Sequence, residues 1–379
     1  MSYSITRPFG LYVHWPFCVS KCPYCDFNSH VAKAIDEDMW ERAYIQELKR
    51  VHAETFGHTI SSIFFGGGTP SLMKASTVES IINTTQNLWG FSDDVEITLE
   101  ANPTTVESHT FRDFRSAGVN RLSIGIQSLR EEVLKFLGRA HSMDEARTAL
   151  DLAAKNFDRY SFDLIYARPD QTLDDWQAEL EEALKLSAGH ISLYQLTIEP
   201  GTDFYKNGVE AIDEDLGADM FDLTQDILEG AGMPAYEISN HARMGQESRH
   251  NLIYWQGDDY VGIGPGAHSR CQNQAIHQIY KPDLWLKGVF EKGSGEQKRK
   301  SLDMDERIIE LLLMGMRLKD GISANHFEQI TARKLTESVD TEGLSQLLEY
   351  DFVIWEDDHL RTTDKGRKCL NAVLEKLVK

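Results

Sequence analysis

Three cysteines fall within eight residues, in the order Cys18-Val-Ser-Lys-Cys22-Pro-Tyr-Cys25. Thiolates are the ordinary protein ligands of iron–sulfur clusters, and a [4Fe–4S] cubane normally takes four of them, one per iron. Three thiolates leave one iron with open coordination positions, which an amino group and a carboxylate of a small molecule can chelate. The methionyl end of S-adenosylmethionine (SAM) presents that pair. Electron transfer from the cluster into its sulfonium then cleaves the C5′–S bond and yields a 5′-deoxyadenosyl radical. Zinc is the competing reading, but structural zinc favours four ligands in paired Cys-x2-Cys units, and no second pair follows. The two other cysteines, Cys271 and Cys369, are isolated and read as structural.

Further residues could serve the same chemistry. Gly66, Gly67 and Gly68, followed by Thr69, offer a backbone without Cβ atoms that a ligand can approach closely, plus a hydroxyl. Glu100 could accept hydrogen bonds from ribose hydroxyls, and Arg139 could clamp a carboxylate. Taken alone, these are also what a tight turn, a solvated acid and a surface ion pair supply. His250-Asn-Leu-Ile-Tyr254-Trp255 sets an imidazole, a suitable axial ligand of haem iron, beside two aromatic rings, although His14, His30, His141 and His268 compete for that role. No Gly-Lys-Ser/Thr follows the Gly66–Gly68 turn, and Gly262-Ile-Gly-Pro-Gly266 lacks the spacing of a dinucleotide fingerprint.

Short apolar runs alternating with longer amphipathic stretches must position these residues, which predicts β/α units around a parallel sheet. Strands are expected at 11–15, 62–65, 95–99, 121–126, 161–166 and 191–196, with helices at 38–55, 77–88, 106–117, 143–155, 173–186 and 214–229. Six repeats predict an α/β fold, an open or partial (β/α)6 barrel, with Glu100, Gln127 and Asp163 directed to one mouth. The alternation fails after about residue 240, and the polar stretch Glu291–Lys300 reads as a linker. Beyond it, helices at 304–317, 326–331 and 343–350 and a hairpin from 352 to 362 have a winged-helix-like order, predicting a small C-terminal α+β domain. The expected division is 1–240, 241–300 and 301–379.

A net charge of −21 argues against a broad nucleic-acid or anionic-lipid footprint. The C-terminal segment from Ser301, with 11 basic and 16 acidic residues, weakens a DNA-binding reading of its fold. No apolar run approaches the roughly 20 residues that span a bilayer, and Met1–Gly10 lacks a secretion-like pattern, so the expected compartment is the cytoplasm.

The C-x3-C-x2-C spacing resembles the radical SAM superfamily. The words Tyr12-Val-His-Trp-Pro-Phe-Cys18, Cys25-Asp-Phe-Asn-Ser-His30, Phe65-Gly-Gly-Gly-Thr-Pro-Ser71, Glu100-Ala-Asn-Pro103, Ser123-Ile-Gly-Ile-Gln127, Leu137-Gly-Arg-Ala-His141, Asp163-Leu-Ile-Tyr166 and His250-Asn-Leu-Ile-Tyr-Trp255 are similar to the HemN/HemW family, particularly its HemW branch of haem chaperones. That resemblance implies a radical SAM core, a family-specific extension and a HemN-type C-terminal domain. It implies that Cys18, Cys22 and Cys25 hold a [4Fe–4S] cluster, and that Tyr12, Tyr24, Gly67, Gly68, Thr69, Glu100, Gln127, Arg139 and Asp163 bind SAM. It further implies haem as ligand, with His250 a candidate for contact, and as partners a haem-accepting protein and an electron donor, with no nucleic acid and membrane contact only through the acceptor. The oxidase branch carries another cysteine two residues after the third ligand, where this sequence has Phe27, and an N-terminal extension ahead of the position of Tyr12. The expectation is therefore a chaperone rather than a coproporphyrinogen oxidase, with oxygen-independent coproporphyrinogen III dehydrogenase as the alternative. Because the SAM words gather at strands one to five and HNxxYW lies beyond the sixth, haem and SAM are expected at separate sites.

Overall fold

The computed structural model describes residues 7–32, 34–104 and 109–379. The six expected strands are β1 (Gly10–Trp15), β4 (Ile60–Gly67), β5 (Phe91–Ala101), β6 (Arg121–Gln127), β7 (Arg159–Tyr166) and β8 (His190–Gln195), each parallel to the next. Two short strands between β1 and β4, β2 (Phe17–Cys18) and β3 (His30–Val31), pair with each other. Side chains alternate across a strand. In β1, Leu11, Val13 and Trp15 are fully buried in the main core, where Trp15 packs on Trp40 and Tyr44 of the helix Glu37–Glu54. Tyr12 and His14 point the other way and line an interior cavity.

Helices lie where their periodicity predicts, notably Met143–Asn156 and Leu173–Leu186. Both begin with reciprocal capping boxes, Ser142 with Glu145 and Thr172 with Asp175, which satisfy backbone N–H groups that the first turn leaves unpaired. Of the helix expected at 106–117, residues 106–108 lie outside the described residues, and Phe111–Ser116 is helical.

The sheet does not stop at residue 240. β9 (Asn240–Ala242) adds antiparallel to β8. On the far side, β10 (Tyr260–Ile263) lies parallel to β1 with Gly262 opposite Tyr12, and β11 (His268–Cys271), β12 (Gln274–Gln278) and β13 (Glu296–Ser301) follow antiparallel. The result is an open eleven-stranded mixed sheet in the order β13-β12-β11-β10-β1-β4-β5-β6-β7-β8-β9. The linker expected over Glu291–Lys300 is thus corrected: the helix Pro282–Lys292 occupies its start and β13 its end. A half-solvated edge strand of charged residues shows no apolar period, which is why it reads as a linker.

The C-terminal helices Met304–Gly315, Ala324–Thr331, Thr341–Glu349 and Leu370–Leu377 surround a separate core that includes Leu312, Phe327, Val353, Leu360 and Leu377. Beside them, β14 (Ile322–Ser323), β16 (His359–Thr362) and β15 (Val353–Glu356) form a small antiparallel sheet in that order. This is the α/β class expected, a partial (β/α)6 barrel followed by a small winged-helix-like α+β domain. The two parts touch where the Arg317 guanidinium lies 4.9 Å over the Trp255 ring and where Arg367 donates to the Glu237 carbonyl. No helix among the described residues is long and apolar enough to cross a membrane.

Candidate cluster and cofactor site

The cysteine loop hangs between β2 and β3, at the carboxyl end of β1. Cys18, Cys22 and Cys25 are each partly exposed. Cys18 accepts a hydrogen bond from the Thr69 hydroxyl at 3.4 Å, Cys22 one from Arg139 Nη1 at 3.3 Å, and Cys25 lies 3.7 Å from the Ser29 hydroxyl. Burial pushes the Cys18 thiol up, opposed by that Thr69 bond. A single zinc ion holds its thiolates about 2.3 Å away, so that its ligand atoms crowd one another. Among the described residues, the group whose ligand atoms all lie within 4.8 Å of one another is His58, Asp259 and Cys271, not this triad. Three thiolate donors, two of whose sulfurs already accept hydrogen bonds from Thr69 and Arg139, are a donor set suited to an iron–sulfur cluster.

The glycine turn at the end of β4 is built against this loop. Gly68 N–H donates to the Trp15 carbonyl at 2.7 Å and Thr69 N–H to the Phe17 carbonyl at 2.8 Å. A Cβ on Gly68 would stand 2.6 Å from the Phe17 backbone. At Gly67, φ is +115° and a Cβ would meet His14 at 2.6 Å, so both the conformation and the space require glycine. Gly67 N–H donates to the Glu100 carboxylate at 3.1 Å, and Asn102 donates to Thr69 Oγ1 at 3.1 Å. Arg139 completes the frame by donating through Nη2 to Asn102 Oδ1 at 2.6 Å and to the Gly125 carbonyl at 2.7 Å. A continuous series of contacts therefore runs from the Cys18 sulfur through Thr69, Asn102 and Arg139 to the Cys22 sulfur. Asn102 is absent from the residues singled out in the sequence, although it lies only two positions beyond Glu100.

Two buried acids, on the strands that flank β6, influence each other electrostatically. Burial, and secondarily the Asp163 charge, pushes the Glu100 carboxyl up to about 8. Burial raises Asp163 to about 6 against the opposing pull of Ser192, Arg121 and Arg139. Gln127 sits at the end of β6 with φ of 72°, the left-handed region that few side chains adopt. Its amide lies beside Gly125, whose added Cβ would meet Gln127 Nε2 at 2.9 Å and Arg139 Nη2 at 3.4 Å. Tyr24 packs toward Phe204, with ring centroids 6.2 Å apart. Arg139 Nε is buried without a hydrogen-bond partner. Glycines whose Cβ atoms have no room, a carboxylate at a strand end and an unpaired guanidinium N–H are what a ligand with ribose hydroxyls and an amino-acid end can use.

A cavity of about 310 Å³ opens beside this frame, lined by Tyr12, His14, Phe27, Gly67, Glu100, Tyr254, Tyr260 and His268 among others. The Tyr12 hydroxyl is 3.0 Å from His14 Nδ1, and His14 Nε2 is 3.0 Å from the Asn28 carbonyl. Burial lowers His14 to about 4.

His250, the haem candidate, is held inside the fold. It lies on the helix Arg249–Gln256, whose first turn is held by Glu96 accepting from the N–H groups of Arg249 at 3.0 Å and His250 at 3.3 Å. The ring is 1% exposed, with Nδ1 2.8 Å from the Ser62 hydroxyl and Nε2 2.7 Å from the Tyr254 hydroxyl. Both nitrogens are engaged, one as donor and the other through the ring's single lone pair. Burial lowers the imidazole to about 3. Tyr254 reaches the cavity, whereas Trp255 lies under Arg317.

Comparison with known proteins places this geometry. Residues 12–183 match the Radical SAM superfamily and residues 302–368 the HemN C-terminal domain. The chain is 37% identical to a protein of Danio rerio named radical S-adenosyl methionine domain-containing protein 1, mitochondrial, over 96% of this chain and 86% of that one. It is 35% identical to heme chaperone HemW of Escherichia coli over 97% of both chains. Its fold matches coproporphyrinogen III oxidase (HemN) of Escherichia coli with a TM-score of 0.84 and 21% identity, covering 98% of this chain and 90% of that one. Membership of the superfamily brings with it a [4Fe–4S] cluster and SAM. With relatives aligned across nearly its whole length, the chain belongs to the radical SAM HemN/HemW family.

Proposed function

We propose that this protein is a haem chaperone that binds haem and passes it to an acceptor protein, and that Cys18, Cys22 and Cys25 hold its [4Fe–4S] cluster. The observation that carries the reading is the 35% identity to a heme chaperone over 97% of both chains. SAM is assigned to the frame of Tyr12, Tyr24, Gly67, Gly68, Thr69, Glu100, Gln127, Arg139 and Asp163. A reduced cluster with bound SAM supplies a strongly oxidising carbon radical or, uncleaved, a fixed and closed site. This chain's residues do the positioning. Gly67 and Gly68 admit the ligand to the backbone, Glu100 accepts from hydroxyls, Arg139 holds a carboxylate, and Thr69 with Arg139 fixes the sulfurs that face the cluster. The cytoplasm and an electron donor complete the proposal.

The alternative, dehydrogenation of coproporphyrinogen III, has the HemN-like fold behind it, but that likeness is one of architecture. One experiment separates the two. The protein, reconstituted anaerobically with iron and sulfide, is titrated with haem and then mixed with a haem-free acceptor; a parallel sample receives coproporphyrinogen III, SAM and a reductant. Stoichiometric haem binding and transfer without porphyrinogen turnover is the expected result. Turnover at an enzyme-like rate overturns it.

A further inference from the structure

Of the five histidines weighed as haem ligands, His14 and His268 line the cavity, and all but His268 have a ring nitrogen already engaged. His14 and His250 use both nitrogens, while His30 uses one on Asn28 and His141 one on the Ile126 carbonyl. His268 differs. It lines the cavity, is exposed, and has no hydrogen bond to either ring nitrogen among the described residues.

Its setting is built across three strands. His268 on β11 lies directly opposite His277 on β12, and the two rings stack with centroids 4.0 Å apart and an interplanar angle of 11°. His277 in turn lies opposite Lys298 on β13. Directly opposed residues of antiparallel strands share one face of the sheet, so an imidazole, a second imidazole and an ammonium line up outward from the cavity wall. Lys298 makes no salt bridge among the described residues. Burial, the neighbouring ring and Arg270 lower His268, which keeps it in the neutral, ligating form. Phe27, an apolar residue of the same lining, is 63% exposed.

Resting on the haem-binding reading above, we propose that His268 is the protein ligand of haem iron. In that arrangement the stacked His277 fixes the ring's orientation, Phe27 covers part of the macrocycle, and Lys298 meets a propionate. Haem then sits at the outer wall of the same cavity that contains Gly67 and Glu100. This replaces the separate site expected from the position of HNxxYW.

The test is a titration of the cluster-loaded, full-length protein with ferric haem, followed by the Soret band and by electron paramagnetic resonance of the iron. The wild-type protein should show imidazole ligation. His268→Ala should lose that signature, with iron and sulfide content of the cluster unchanged. His268→Met should replace it with that of a thioether ligand, a change that a merely structural residue would not produce. His277→Ala should weaken binding about tenfold, the usual cost of losing a group that orients a ligand. His250→Ala should leave the ligation signature intact. If wild-type protein binds haem and His268→Ala keeps the same spectrum and affinity, the assignment is wrong while the chaperone reading stands. If wild-type protein fails to bind haem stoichiometrically, the chaperone reading falls and takes the assignment with it.

Discussion

Arg139 Nη1 lies 3.3 Å from the Cys22 sulfur, across 117 residues of chain, while Nη2 of the same guanidinium holds Asn102 at 2.6 Å. A cation donating to a cluster thiolate stabilises the more reduced, more negative state and so raises the reduction potential. Arg139→Met should therefore assemble the cluster but shift its potential to more negative values. It should also weaken SAM binding by about 10–100-fold, since a charge-assisted hydrogen bond contributes about 1.5–3 kcal/mol. Redox titration monitored by electron paramagnetic resonance and equilibrium SAM binding measure the two effects. An unchanged potential would show that the Nη1 contact does not persist in the loaded protein.

Each of Cys18→Ala, Cys22→Ala and Cys25→Ala should abolish stable [4Fe–4S] assembly, because neither remaining cysteine stands in this loop to replace the lost thiolate. Cys271→Ala and Cys369→Ala should keep full iron and sulfide content. Iron loss in either of those two comparable with that in Cys22→Ala contradicts the three-ligand assignment.

Gly68→Ala tests the cradle. Its Cβ has nowhere to go but into the Phe17 backbone, 2.6 Å away, and overpacking of this kind costs about 1–3 kcal/mol. Thermal unfolding should occur at lower temperature, and SAM affinity should fall even where the cluster assembles. Gly230→Ala is the control for an added methyl alone, since nothing lies within 4 Å of its Cβ and its φ is not positive.

Glu100 gives stability a pH dependence of unusual sign. Its folded-state carboxyl sits at about 8, above its ordinary value of 4.5. Between those values the folded chain holds a proton that the unfolded chain has released, so this contribution is complete below 4.5 and is lost as pH rises through about 8. In the protein without cluster or SAM, Glu100→Gln should flatten the decline in unfolding midpoint between pH 5.5 and 8.5. A slope equal to that of the wild type would place the proton elsewhere.

His250→Ala should act on the fold rather than on haem. Removing the ring strands the Ser62 and Tyr254 hydroxyls in the interior, a loss of about 1–3 kcal/mol for each group left unsatisfied. A buried neutral histidine at about 3 also resists protonation. Its contribution is fully present above the ordinary value of 6.5 and lost as pH falls toward 3. Urea unfolding at pH 7 and pH 4.5 should show a smaller difference in the variant than in the wild type.

The six β/α units are legible because apolar strands and amphipathic helices carry distinct periods, and Ser142 and Thr172 mark two of the helix starts. β10 is four residues long and β13 reads Glu-Gln-Lys-Arg-Lys-Ser, so neither has a period to detect. At the site, the cysteine spacing and the glycine turn announce themselves through residue types that few other structures need. The setting of His250 is not legible, for the opposite reason. An imidazole between Tyr254 and Ser62 is defined by a partner 188 residues away, which no local pattern reveals. His268 stands in the sequence only as one competitor among several, because what sets it apart, a ring at the cavity wall without a hydrogen-bond partner among the described residues, is a property of the folded chain.

The unclosed sheet has two ends, and an unpaired end is a row of N–H and C=O groups ready to accept a strand from another molecule. One end, β9, is only three residues long and buried, and its outer side is already bonded to the segment 234–236. The other, β13, is mostly exposed and carries Glu296, Lys298, Arg299 and Lys300. Strands crowded with charge resist stacking on copies of themselves, because each addition brings like charges together. The barrel can thus stay open on the side of its cavity without inviting the edge-to-edge polymerisation to which open sheets are prone.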